Sequence, residues 1–128
     1  MNSFDIAGRA MAAQLVRLNT IASNLANAGA ISGTEAGAYR ALKPVFATAY
    51  QGKAATVDVA GIARTGIPER RHDPSHPLAD AEGNVWSAAV DPNQELVEMV
   101  ETARQYANNV EVLSAAKALS LDTLRLGR

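Results

Sequence analysis

Residues 4–25, FDIAGRAMAAQLVRLNTIASNL, decide the fold. Phe4, Gly8, Met11, Leu15, Leu18, Ala22 and Leu25 step along this stretch by alternating fours and threes. That is the spacing of an a/d seam, which predicts a helix with one apolar stripe rather than a strand. Ser3 is the expected N-cap and Gly29 the expected C′ residue. Such a helix is a rod of roughly 37 Å that needs a partner along its whole stripe.

The C-terminal end of the chain supplies one. Asp91-Pro92 reads as an N-cap followed by proline at the first helical position, with Gln94 placed to close a capping box. Leu96, Met99, Ala103, Tyr106, Val110 and Leu113 then repeat at threes and fours. The register next meets the polar Lys117 and Ser120, and the stripe moves over to Ala116 and Leu119. The expected architecture is therefore mainly α. Long N- and C-terminal helices, residues 1–28 and 91–128, pack as an antiparallel coiled coil around a minor middle part.

That middle part lacks helical periodicity. Residues 29–55 are rich in Gly, Ala, Ser and Thr and read as an extended linker segment, anchored by Tyr39-Arg40, Pro44-Val45-Phe46 and Tyr50. Residues 56–90 read as a small β-rich segment. One strand starts at Val57, Val59 and Ile62, and another runs through Val85-Trp86 to Val90, with turn chemistry between them. Trp86 is the expected apolar anchor of this small hairpin.

Composition narrows the chemistry. The 128 residues are 48% apolar, but 26 of those residues are alanine, which favours close helix contacts over a bulky core. Net charge is −1, so no global field draws nucleic acid or an anionic membrane. There is no cysteine, which excludes disulfides and thiolate-bound metals. The first residues lack the basic and apolar regions of a cleaved secretory signal, and no apolar run is long enough to span a bilayer. His72, Asp73, His76 and Asp80 form the one enzyme-like cluster. Histidines four apart could share a metal on a helix, but Pro74 and Pro77 break any helix there. A hydrogen-bonded turn is expected instead, with no catalytic residues, no cofactor and no metal.

Two terminal helices leave apolar flanks at Ile6, Val16, Ile21, Val97, Val100 and Val112. Exposed surface of this kind marks assembly, and repeated heterologous contacts between copies give an open helical filament. The residues expected to form that interface are Met11, Leu15, Leu18, Ala22, Leu25, Leu96, Met99, Ala103, Tyr106, Val110 and Leu113. For the asparagines near the end of the first helix two roles stay open: local capping, or hydrogen bonds between subunits.

Several segments also resemble a known family. Asn19-Thr20-Ile21-Ala22-Ser23-Asn24-Leu25-Ala26-Asn27 resembles the N-x-A-N-x-x-N signature of bacterial flagellar axial proteins. Tyr39-Arg40 and Pro44-Val45-Phe46 resemble the segment that follows it in short proximal-rod subunits. The run from His72 to Val85 is similar to that family's D-P-x-H-P-x-A-D-x-x-G-x-V, and Glu98 to Leu113 is similar to its M-x-x-A-x-R-x-Y-x-A-N-x-x-V helix. Lys117 and the closing Thr123-Leu124-Arg125-Leu126-Gly127 fit as well, while Ala28-Gly29-Ala30 and Asn108-Asn109 depart from the pattern.

The resemblance implies a structural subunit of the flagellar basal-body rod that self-assembles through its terminal helices into a torque-transmitting shaft. It further implies export through the flagellar type III system and a place in the rod crossing the periplasm. The implied partners are further copies of itself, other proximal and distal rod proteins, and the rod-base or export-gate adaptor with the MS-ring region. Neither nucleic acid nor a lipid bilayer is an expected partner. A soluble coiled-coil adaptor or secretion cofactor is the competing reading, but a helical-hairpin adaptor has no need of the β-like, His-Pro-rich middle.

Overall fold

The computed structural model describes residues 2–127. Met1 and Arg128, the outermost positions of the two expected helical segments, lie outside the described residues. Helix α1 spans Ser3–Asn27. Asn2, one residue before the expected Ser3, caps it in a reciprocal box: the Asp5 N–H donates to Asn2 Oδ1 at 3.0 Å, and the Asn2 N–H donates to an Asp5 carboxylate oxygen. Helix α2 spans Pro92–Leu126 without interruption, so the slipped stripe at Lys117 produces no break. Asp91 caps α2 by accepting from the Asn93 and Gln94 amides, with Pro92 at the first turn.

Strands β1 (Ile31–Ser32), β2 (Ala41–Gln51), β3 (Ala54–Thr65), β4 (Glu69–His72) and β5 (Asn84–Ser87) lie between the helices. β2 and β3 form a long antiparallel hairpin, register Gln51 with Ala54 at the tip and Ala41 with Thr65 at the root. Its loop is Gly52-Lys53, and Gly52 adopts φ +64° while Lys53 does not have a positive φ, the pattern of a type II′ turn. β5 pairs with both β1 and β4 in a second, three-stranded antiparallel sheet. A backbone bond from the Ala41 N–H to the Ala89 carbonyl, 3.2 Å, joins the two sheets at the hairpin root.

The expectation of a mainly α coiled coil with a small middle hairpin is thereby corrected: the chain is α+β. Residues 41–51 are a full strand rather than extended linker, and the strands expected to pair with each other, at Val57–Ile62 and Val85–Trp86, belong to different sheets. The physical reason lies in the helices' surroundings. The hairpin lies lengthwise along α1, from Leu42 beside Asn24 to Gln51 beside Phe4 and Gly8, and so takes one side of the helix away from any coiled-coil partner.

The His-Pro run is a turn. The Asp73 N–H donates to the Gly83 carbonyl, the His76 N–H to the Asp73 carbonyl, and Asp80 Oδ1 accepts from the Glu82 and Asn84 amides. Gly83 is at φ +81°, and a Cβ there would sit 3.1 Å from both His72 and Pro74, so the turn needs glycine on two counts.

The apolar interior is small. Among the described residues the enclosed apolar side chains are Ala7, Ala13, Ile21, Ala38, Ala41, Pro68 and Val85, four of them alanine.

Candidate assembly surface

The helices run antiparallel, because Asn24 meets Glu95 at one end and Gln14 meets Asn109 farther along. On α1 the enclosed or half-enclosed positions Ala7, Ala10, Gln14, Arg17, Ile21, Asn24 and Ala28 recur at threes and fours. On α2 the matching set is Glu95, Glu98, Thr102, Gln105 and Asn109. Both sets sit one residue before the apolar stripes expected from the sequence. One residue is about 100° of rotation. The inner seam is therefore largely polar, and the apolar stripes have turned toward its edge and outward.

The expected interface residues divide accordingly. Met11, Leu18, Leu25, Met99, Tyr106 and Leu113 are half-buried flanks of the inner seam. Leu15, Ala22, Leu96, Ala103 and Val110 face solvent, with Leu15 and Leu96 each 46% exposed. Val97, Val100, Val112, Leu119 and Leu124 extend the exposed apolar surface of α2 beyond those positions. Leu96, Val97 and Val100, with Glu101 and Arg104, line a shallow groove on α2.

What holds the helices in this rotation is Asn24, whose side chain is fully enclosed. Its Oδ1 accepts from the Leu42 N–H and the Tyr39 hydroxyl, both at 2.8 Å. Its Nδ2 donates to the Leu42 carbonyl at 3.0 Å and to Glu95 Oε2 at 3.1 Å. All four hydrogen-bonding positions of the amide are used. Asn24 thus pairs with β2 as a neighbouring strand would, and at the same time ties α1 to α2. Lys43 completes the junction, its Nζ 3.2 Å from Glu98 Oε1 and 3.7 Å from the buried Glu95.

Asn24 takes neither of the two expected roles: it makes a tertiary tie within the chain. Asn27 donates back to the Ser23 carbonyl, a local bond. Sequence reasoning missed Asn24 as a seam residue, because an asparagine in the last turn of a helix reads as a local cap.

Thr102 is the weak point of the seam. Its side chain is fully enclosed and its hydroxyl has no hydrogen-bond partner. Thr102→Val removes an unpaired buried hydroxyl at nearly constant volume, and should raise stability by about 1 kcal/mol. Urea denaturation of the full chain checks this.

The chain's exposed surface, 8367 Å², is large for its size. A compact folded chain of this mass exposes about 6,500 Å². The difference is of the order that a stable protein–protein interface buries. Among the described residues no helix is long and apolar enough to cross a membrane, so lipid is not what covers the α2 stripe by spanning.

Residues 4–29 match the family described as flagella basal body rod protein, and residues 81–126 match the C-terminal family of the flagellar basal body rod FlgEFG proteins. The flagellar basal-body rod protein FlgC of Salmonella typhimurium is 44% identical, over 100% of this chain and 98% of its own length. That of Yersinia enterocolitica is 45% identical over the same shares, and that of Aquifex aeolicus is 31% identical over 92% of this chain and 90% of its own. The chain belongs to the FlgC family of flagellar basal-body rod proteins, which are structural subunits and not enzymes.

Proposed function

We propose that the chain joins the rod by burying the outward stripes of α1 and α2, at Met11, Leu15, Leu18, Ala22, Leu25, Leu96, Met99, Ala103, Tyr106, Val110 and Leu113, against neighbouring subunits. The observation that carries this is the excess exposed surface together with the half-exposed leucines on both helices. A basal-body rod subunit assembles with other rod and basal-body components. In this reading the terminal segments, 1–28 and 91–128, form the inner packing of the rod, and residues 29–55 and 56–90 supply outer contacts. Its neighbours are copies of itself, other proximal and distal rod proteins, and the rod-base or export-gate adaptor near the MS ring. It travels through the type III export system, takes its place where the rod crosses the periplasm, and transmits torque there. Family membership supports this route and role. The FlgC relatives match this chain over nearly their full length, which favours a rod subunit over a free adaptor.

The test is co-purification. A tagged full-length chain, expressed in place of the cell's own copy, should appear in detergent-extracted basal bodies that carry a complete rod. Basal bodies with complete rods that lack the chain would contradict the reading.

A further inference from the structure

The β2–β3 hairpin is held to the rest of the chain very unevenly. At its root, Leu42 is bonded on both backbone groups by the enclosed Asn24, Lys43 reaches Glu98 and Glu95, and the Ala41 N–H donates to Ala89. Toward its tip, the one ion pair to α1 among the described residues is Arg9 with Asp58 at 3.2 Å, and both side chains are about half exposed. Exposed pairs of this kind hold weakly. Along its edges the contact of the distal half with α1 is incomplete. A surface groove of about 170 Å³ runs where Ala10, Ala13 and Gln14 meet Phe46, Val57 and, on α2, Gln105. A wider cleft opens between Ala12 and Val16 on α1 and Val57 to Val59 on β3. Thr56 is buried on this half with its hydroxyl unpartnered. Between root and tip the ladder is broken: Val45 pairs with Gly61 and Phe46 with Val59, leaving Ala60 unmatched beside a glycine. A bulge bends its strand and interrupts pairing, which makes it a natural hinge point.

We propose that the distal half of the hairpin, Phe46 to Val59, is a hinged arm that lifts off α1 about the bulge at Ala60 while the root stays pinned by Asn24 and Lys43. Lifting uncovers the Ala12, Ala13 and Val16 face of α1, where two alanines let another backbone approach closely. Offering that strip to a second copy of the chain rests on the rod reading above; the hinge itself does not.

The chain has no native cysteine, so single thiols report cleanly. Ala13 lies beneath the arm and Ala41 at the root, and both are buried. In the full-length free subunit with excess maleimide, Ala13→Cys should be labelled at least about tenfold faster than Ala41→Cys, because local opening exposes one and only larger unfolding exposes the other. Equal rates overturn the hinge. A second measurement avoids buried substitutions: spin labels at Tyr50→Cys on the arm and Asn19→Cys on α1, both exposed positions, should give a second, longer distance population. A single narrow distance overturns the proposal. Either failure would leave membership of the rod unaffected, since co-purification with basal bodies tests that separately.

Discussion

Asn24→Ala should destabilise the free subunit by about 3–5 kcal/mol, a large share of what a chain of this size possesses. The magnitude follows from what is left behind rather than from the lost side chain. The buried Glu95 carboxylate loses a donor, and the half-buried Leu42 N–H and carbonyl and Tyr39 hydroxyl each lose a partner. Asn24→Asp should be worse at neutral pH. It puts a carboxylate oxygen where Nδ2 stood, 3.1 Å from Glu95 Oε2 and facing the Leu42 carbonyl. Urea unfolding followed by circular dichroism checks both. An Asn24→Ala variant within about 1 kcal/mol of the parent would mean that α1, β2 and α2 are held together elsewhere.

The second large effect appears only in the assembly. Leu15 and Val110 are 46% and 42% exposed, so Leu15→Asp and Val110→Asp should each change the free subunit by no more than about 0.5–1 kcal/mol. In a rod that buries these positions, each substitution places an unpaired carboxylate in a helix contact, at a cost of several kcal/mol. The cost recurs in every copy. Cells relying on either variant should not swim in soft agar, while the purified variants melt within a few degrees of the parent. Normal swimming with both would remove these stripes from the interface.

Much of this was legible in the residues. Asp91-Pro92 announces a helix start because aspartate caps and proline fits the first turn, and that is how α2 begins. The repeating threes and fours marked both helices, and the His-Pro run read as a turn because proline forbids a helix through it. The hairpin was hidden. Residues 41–51, ALKPVFATAYQ, carry a proline and little alternation, since both faces of β2 hold apolar side chains, Leu42, Phe46 and Tyr50 on one and Val45 with three alanines on the other. Gly52-Lys53, a two-residue loop with glycine first, was the local signal for the turn. Rotation of the helices was not legible from apolar spacing at all. Their inner seam is set by Asn24, Glu95, Gln14 and Asn109, whose hydrogen bonds decide the angle, and the apolar stripes are displaced to the surface as a consequence.

That displacement carries the proposal that the exposed parts of the apolar stripes lie outside the subunit because the rod buries them. The most direct measurement is thiol protection at Leu15→Cys, compared between the free full-length subunit and isolated basal bodies. Free subunit should label readily, as a side chain 46% exposed must. In basal bodies the same thiol should react at least about tenfold more slowly, since only subunit dissociation or local opening would expose it. Labelling at the same rate in both would show that this face of α1 stays wet in the rod, and the account would be wrong.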